Sequence, residues 1–285
     1  MTGKAVAQGL GTPHDPDPAV AEIIDRSRRA ERRRLAVIWI SRFVLLAVVL
    51  LFWEAAVRGG LAKALFFSQP TAVVEFLANA IRTGELTNHT VVTVVETIYG
   101  FVIGSAAGIV AGLTLARFAT LDAIFDPFLN VLNSLPRVAL APLFILWFGI
   151  DQQSKVALAV SLVFFILVVN TRAGVRTVPE EFIIIARSLG AGERQMFTKV
   201  ILPGAVPAIF AGLRLGAVYS LLGVVVGEMI AARAGLGQQL TYYSGTFNTA
   251  GVFAVLVILG AIAAILNAAM VAIETRLLRW QVTNR

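Results

Sequence analysis

The sequence predicts an all-α, polytopic membrane protein with six transmembrane helices. Three observations support this class. The chain of 285 residues is 58% hydrophobic and only 14% charged, whereas about 25% of residues are charged in a typical globular protein. Its mean hydropathy is +0.81. It also contains six apolar stretches that are long enough, or nearly so, to cross a hydrocarbon layer, which takes about 20 helical residues. The alternating pattern of a membrane β-barrel is absent.

The amino-terminal leader, residues 1–34, is the first element in chain order. It carries Pro13, Pro16 and Pro18 among small and polar residues, a composition typical of disordered segments. For Glu22–Arg34 two interpretations stay open, a helix on the inner membrane surface and a solvated basic tail. We do not expect a cleaved signal peptide, because no small-residue cleavage site follows the first apolar run.

The transmembrane domain is predicted to cover residues 35–285. Its spans lie at about 36–57, 91–116, 121–150, 155–171, 207–232 and 250–273, and 155–171 is the shortest. Lys and Arg in short loops stay on the cytoplasmic side. With both termini inside, sixteen basic residues fall on the inner side and four on the outer side, namely Arg58, Lys63, Arg82 and Arg233. The net charge of +7 is therefore a signal of orientation, and nucleic acid is not an expected partner.

The second span carries a stripe of glycines at every fourth position, Gly100, Gly104, Gly108 and Gly112. Small residues let two helices approach closely within lipid, where packing drives helix association. We expect close internal packing here, with a moving or dimer-forming seam as the alternative.

The third span is interrupted. Asp126-Pro127, Pro136 and Pro142 remove backbone donors, and the polar residues Asn130, Asn133, Ser134 and Arg137 lie between and beside them. Irregular backbone survives at membrane depth only where it is buried in protein or faces water, so these residues are predicted to line the translocation path. Arg137 is expected either to pair with an acid such as Glu96 or Glu228 or to contact an anionic substrate.

Glu228 lies near the outer end of the fifth span. It is a second candidate for the translocation path, at the outer gate or in contact with a partner there. A pair with Arg233 or Arg137 is the alternative.

Two loops are more than simple connections. In the outer loop, Pro70 and Gly84 are the start and stop signals of a short helix at about Thr71–Arg82. In the inner loop, residues 172–206, a helix at Glu180–Leu189 is expected, then a turn at Gly190-Ala191-Gly192 and a second helix at Glu193–Ile201. Pro203 and Pro207 are predicted to end the second helix.

The inner loop resembles a known motif. The run Ala186-Arg187-Ser188-Leu189-Gly190-Ala191, followed by Val200-Ile201-Leu202-Pro203, resembles the EAA loop of bacterial ABC importer permeases. Trp147-Phe148-Gly149-Ile150, Gly212-Leu213-Arg214 and Gly235-Leu236-Gly237 are similar to the nitrate, sulfonate and taurine branch of that family. The chain departs from the motif where Ile184-Ile185 replaces Glu-Ala and Val200 replaces Ile.

The resemblance implies the type I importer permease fold in the bacterial inner membrane. It further implies that two copies of the chain form the path for a small, anionic solute such as a sulfonate, taurine or nitrate. Two ATP-binding cassette subunits would bind ATP and Mg²⁺ and dock on the inner loop, through Ala186, Arg187, Ser188, Leu189, Gly190, Ala191, Gly192, Leu202 and Pro203. An extracytoplasmic binding protein would deliver the solute.

The chain itself is not expected to be an enzyme or to hold a metal or cofactor. It contains no G-x-x-x-x-G-K-[ST] phosphate loop, the signature of one large class of nucleotide-binding proteins. A secondary carrier or channel that works without an ATPase is the alternative function, although carriers often show two related halves and none is evident. An intramembrane serine protease is disfavoured, because the histidines that could serve as its base, His14 and His89, lie in the leader and at a membrane edge.

Overall fold

The computed structural model describes the backbone of residues 18–278 and the side chains of residue 31 and residues 33–278. The chain divides into two units, residues 1–62 and 63–285. In its described part, residues 18–62, the first unit contains one helix, α1 (Pro18–Arg58), whose residues 33–58 are apolar enough to cross a membrane. Helix α1 runs without a break through the expected leader boundary at residue 34. The proline-rich start of the leader lies outside the described residues.

The second unit is helical in its described part, and no strand occurs between residues 63 and 278. Its helices are α2 (Ala64–Phe67), α3 (Pro70–Thr83), α4 (Thr87–Arg117), α5 (Ala119–Ser134), α6 (Ala141–Phe148), α7 (Gln152–Arg176), α8 (Glu180–Ser188), α9 (Glu193–Met196), α10 (Leu202–Ile230), α11 (Leu236–Gly245) and α12 (Thr249–Leu277). A 3₁₀ turn, Arg137–Leu140, precedes α6, and a π-helical turn, Phe197–Ile201, joins α9 to α10.

The predicted all-α fold is confirmed in the described residues. Five described helices are long and apolar enough to cross a membrane, and α5 with the turn and α6 forms a pair bent by 83°, which makes up to six spans if the pair counts as one. The bend follows from the sequence, because Pro136 has no N–H to continue the hydrogen-bond ladder of α5.

Helix α7 lies at the centre of the second unit. Its predicted span was the shortest, but the helix has 25 residues, and Leu158, Ala159, Val163 and Leu167 are fully buried. It packs between α4 on one side and α10 on the other. The extra length comes from Gln152–Ser154 and Arg172–Arg176, polar turns that extend the helix beyond its apolar part.

The glycine stripe of α4 faces α7. A Cβ placed on Gly100 would lie 2.4 Å from Ala159 Cβ, one on Gly104 would lie 2.8 Å from Val163 Cβ, and one on Gly112 would lie 2.7 Å from Thr171 Cβ. For Gly108 the nearest atom is the carbonyl oxygen of Phe164, at 2.6 Å. The backbones of α4 and α7 therefore approach more closely than a side chain at any of these four glycine positions would allow.

Two proline expectations are wrong. Pro203 and Pro207 do not end the second helix of the inner loop, because the backbone stays helical from Glu193 through α10. Just before Pro203, the N–H of Leu202 bonds to the carbonyl of Phe197, five residues earlier. In this wider π turn the hydrogen bond spans five residues, so the backbone stays helical past the position where proline has no N–H to donate.

The outer helix of residues 70–83 is confirmed. Pro70 occupies its first turn and Gly84 ends it in a left-handed conformation, with φ of 71°. Ala80 of α3 packs with Tyr243 of α11 and Val255 of α12 in a small apolar cluster. The Tyr243 hydroxyl donates to Glu85 Oε1 at 2.8 Å. Burial, followed by the Glu85 carboxylate, raises the pKa of the Tyr243 phenol above its ordinary value.

Candidate coupling loop and polar groups of the spans

The inner loop turns through a glycine corner. Helix α8 ends with the N–H of Ala191 donating to the carbonyl of Ala186 at 3.0 Å and the N–H of Gly190 donating to that of Arg187 at 2.9 Å. Gly190 has φ of 79°. This pair of bonds with a left-handed residue is a Schellman motif, which favours glycine because a Cβ is strained there. The predicted turn thus has a fixed geometry set by local sequence.

Helix α8 and the residue that follows it expose apolar side chains. Phe182, Ile184 and Ile185 are exposed, and Leu189 is 83% exposed. Of the predicted coupling residues, Arg187, Ser188, Gly190 and Gly192 are exposed, Ala186 and Ala191 are half-buried, and Leu202 and Pro203 are half-buried at the start of α10. Ile184-Ile185, the replacement for Glu-Ala, therefore adds to an apolar surface.

Helix α9 is tied to the inner end of α4 by an ion pair. Arg117 Nη2 lies 2.6 Å from Glu193 Oε2, and both residues border a cavity of about 190 Å³ that also contacts Arg187 and Ala191. Sequence reasoning missed this link, since 76 residues separate the two charges. It connects the glycine corner to a membrane span.

A second ionic cluster joins α5 to α7 at the same end. Arg172 Nη2 lies 2.5 Å from Asp122 Oδ1 and 2.6 Å from Asp126 Oδ1, and Arg176 also pairs with Asp122. Arg172 is buried. Sequence reasoning missed this cluster, although a signal was present: two acids and two arginines each stand four residues apart, which places each pair on one helix face.

The polar residues of the broken span lie on one exposed stretch. Asn130, Asn133 and Ser134 near the end of α5 are exposed in the single chain. Arg137 begins the turn after the bend. Its Nη2 donates to Asn133 Oδ1 at 2.6 Å, its guanidinium carbon lies 4.2 Å above the Phe165 ring, and its buried Nε has no hydrogen-bond acceptor. Neither Glu96 nor Glu228 is among the contacts described for it.

Glu228 lies inside the protein, with 1% of its surface exposed. Its Oε1 accepts from the Thr93 hydroxyl at 2.7 Å and its Oε2 accepts from the N–H of Gly237 at 2.7 Å. The alternative, a pair with Arg233 or Arg137, does not occur among the described contacts of residues 33–278. Arg233 instead faces Asp151, at 3.8 Å.

Glu228 belongs to a set of acceptors that holds the start of α11. The N–H of Leu236 donates to Thr93 Oγ1 at 2.8 Å, and that of Gly235 to His89 Nδ1 at 3.1 Å. Together with Gly237, three successive backbone donors at the start of a helix are satisfied by side chains of α4 and α10. Close approach explains the glycines, because a Cβ on Gly235 would lie 2.2 Å from the Glu228 carboxyl carbon.

Comparison with known proteins identifies the family. Residues 104–279 match the family of binding-protein-dependent transport system inner membrane components. The chain is 31% identical over 243 residues to the putative aliphatic sulfonates transport permease protein SsuC of Bacillus subtilis, covering 85% of this chain and 88% of that protein. It is 34% identical to the riboflavin transport system permease protein RibX of Chloroflexus aurantiacus, covering 84% and 89%. It is 31% identical to the taurine transport system permease protein TauC of Escherichia coli, covering 82% and 87%.

A solved structure agrees with the fold. A chain of the inward-facing methionine ABC transporter MetNI aligns with a TM-score of 0.54 at 23% identity, covering 66% of this chain and 92% of that chain. The helical fold, the apolar spans and these relatives lead to one conclusion. This chain belongs to the binding-protein-dependent ABC importer permeases, in the sulfonate and taurine branch, and is a non-enzymatic, multi-pass subunit of the inner membrane.

Proposed function

We propose that two copies of this chain form the path by which a small anionic solute of the sulfonate, taurine or nitrate type enters the cell. Two ATP-binding cassette subunits dock on the inner loops and bind ATP and Mg²⁺, and an extracytoplasmic binding protein delivers the solute. The names of the relatives support a sulfonate or taurine, although another relative is named for riboflavin.

The observation that carries the proposal is the polar face of the broken span. Asn130, Asn133 and Ser134 are exposed in the single chain at the depth of a span. Polar groups there are unfavourable against lipid, so they face water or protein. A second copy placed against this face would enclose a path, and Arg137 would supply its positive charge.

A cysteine experiment tests the path directly. The chain has no cysteine, so Ser134→Cys introduces a single thiol. We expect this thiol to react with a water-soluble maleimide and to cross-link two copies in native membranes. Ile265→Cys on α12, where the side chain is also exposed, is the matched control and should do neither. If Ser134→Cys, like Ile265→Cys, neither reacts nor cross-links, the broken span faces lipid and the proposed path is wrong.

The role of Arg137 is tested by uptake. Arg137→Gln removes a charge-assisted contact worth about 1.5–3 kcal/mol, so uptake of a sulfonate at low concentration should fall by about tenfold or more. Arg82→Gln on α3, at the outer surface, is the control and should leave uptake intact. Unchanged kinetics in an assembled Arg137→Gln transporter would remove the solute-binding role.

The inner loop is tested by Gly190→Asp. Nothing lies within 4 Å of a Cβ at Gly190, so the change adds backbone strain and charge at the corner without a clash. ATP-driven uptake should be lost while membrane insertion persists. Gly60 has φ of 77° and equally open space, which makes Gly60→Asp a matched control that keeps uptake. Normal coupling of ATP hydrolysis to uptake in Gly190→Asp would contradict docking at this loop.

A further inference from the structure

Arg42 is a charged residue inside the apolar span of α1. The span begins at Arg33, and residues 33–52 are all exposed in the single chain. An arginine that faces lipid at membrane depth is unfavourable unless its guanidinium reaches water or an anion. The polar face of the broken span and the inner loop do not involve Arg42, so its counter-ion has to come from elsewhere.

No acidic side chain of the same span can neutralise Arg42. The sequence has no Asp or Glu from residue 33 to residue 53, and the first acid that follows is Glu54. Glu54 lies about 18 Å further along the helix axis, at 1.5 Å per residue. It pairs instead with Arg58, one turn beyond it, at 2.6 Å. Among residues 33–58, the charge of Arg42 therefore has no counter-ion.

The Arg42 side chain points toward the amino-terminal end of α1. Its guanidinium carbon lies 5.1 Å from the centre of the Trp39 ring, in the preceding turn. Helical side chains lean toward the N-terminus of their helix, and long cationic side chains extend in this way to bring their charge to a membrane surface. Trp is likewise enriched at the membrane interface. The guanidinium therefore lies near the depth of Trp39, about 6 Å along the axis from Leu35, the first apolar residue of the span.

A second exposed arginine, Arg34, stands at the membrane end of the same side of α1. At 3.6 residues per turn, Arg34 and Arg42 are about 80° apart around the helix axis, whereas Arg33 falls on the side opposite Arg42. This end of α1 is the one predicted to face the cytoplasm, and basic residues beside such an end attract anionic lipids. Arg34 thus adds a positive field at the level of the lipid headgroups.

We propose that the amino-terminal end of the α1 span binds an anionic phospholipid, whose phosphate contacts the Arg42 guanidinium beside Trp39. A guanidinium suits this role because its N–H donors match the oxygens of a phosphate. The field of Arg34 favours a headgroup with net negative charge, such as phosphatidylglycerol, over a zwitterionic one, such as phosphatidylcholine. This lipid site is independent of the transported solute and goes beyond the proposed function.

Tryptophan fluorescence of the full chain in vesicles tests the proposal, because bromine on a lipid chain quenches a nearby indole. Trp39 is the reporter once the other three tryptophans are changed, by Trp53→Phe, Trp147→Phe and Trp280→Phe. The vesicles contain equal amounts of phosphatidylglycerol and phosphatidylcholine, with bromine on one lipid and then on the other, so that the two quenching values give the relative affinity.

We expect phosphatidylglycerol to be preferred near Trp39 by at least about fivefold, the ratio that one basic residue near a membrane surface provides. Arg42→Gln should lower this preference by about fivefold, because the charge at the phosphate is gone. Arg42→Lys keeps the charge and should keep most of the preference.

Matched controls lie at the other end of α1. A chain that keeps Trp53 in place of Trp39 reports on the lipids of the opposite leaflet and should show a weaker preference. Arg58→Gln removes a charge that already pairs with Glu54 and should leave the preference at Trp39 unchanged. The comparison of Trp39 with Trp53 needs no arginine variant, so it decides even if Arg42→Gln does not insert.

Three results would overturn the lipid site. An equal preference at Trp39 and Trp53 would mean that neither end selects a lipid. An unchanged preference in Arg42→Gln would mean that a protein group neutralises Arg42 instead. Absence of quenching of Trp39 by either brominated lipid would mean that another protein surface, such as a second copy of the chain, covers this part of α1.

Discussion

Replacing Gly100 by alanine perturbs the shortest approach between the glycine stripe of α4 and helix α7. The new Cβ would lie 2.4 Å from Ala159 Cβ and 3.0 Å from Ser220 Oγ, whereas carbon atoms in contact normally lie about 3.5–4.0 Å apart. Helices α4 and α7 would have to separate locally by about 1 Å. Overpacking of this kind costs about 1–3 kcal/mol, and both clashing carbons are held by backbone. Alanine has a better helix propensity than glycine by about 1 kcal/mol, so we expect a net loss of stability of up to about 2 kcal/mol.

A second substitution, on the other side of the same contact, should compensate for the stability lost in Gly100→Ala. Ala159→Gly removes the nearest atom and leaves Ala159 Cα at 3.6 Å from the new Cβ. The double variant Gly100→Ala/Ala159→Gly should therefore recover most of the stability lost by Gly100→Ala, with a coupling energy of about 1–2 kcal/mol. Gly260→Ala on α12, where nothing lies within 4 Å, is the control and should not destabilise.

Equilibrium unfolding of the purified protein in mixed detergent micelles measures all four variants. The reasoning fails if Gly100→Ala is as stable as Gly260→Ala. It also fails if Ala159→Gly lowers the stability of Gly100→Ala further, since the two backbones would then not be in the close contact described.

Three further predictions follow from the polar contacts. Arg117→Gln and Glu193→Gln should each reduce ATP-coupled uptake, because each breaks the same ion pair at 2.6 Å. The double variant should therefore transport no worse than either single variant. Additive losses of uptake would mean that the two residues act independently of this ion pair. Asp122→Asn should lower the free energy of unfolding by about 1.5–3 kcal/mol, because the buried Arg172 loses one anionic partner and keeps Asp126. An unchanged melting temperature would contradict this. The raised pKa of Tyr243 means that the folded protein holds this proton where the unfolded chain loses it, so stability should fall as the pH rises above about 10. Tyr243→Phe should lessen that fall, and an identical alkaline unfolding curve would refute it.

Local features were predictable because short-range chemistry decides them. The glycine corner at Gly190, the start of α3 at Pro70 and its end at Gly84 follow from the allowed backbone angles of single residues. The apolar spans follow from the thickness of the membrane. The proline rule failed at Pro203 because a π turn, stabilised by the packing of α10, replaced the missing hydrogen bond.

Taken by itself, the sequence determined that this chain is a helical membrane protein, which stretches are apolar enough to cross the membrane, and which loop resembles the importer motif. Only the tertiary structure decided what the charged residues of the spans do. Glu228 accepts from Thr93, 135 residues away in the chain, and Glu96 and Lys155 meet at one cavity. A buried charge is stable only with partners that satisfy it, and those partners come from distant helices brought together by the glycines of α4 and α10.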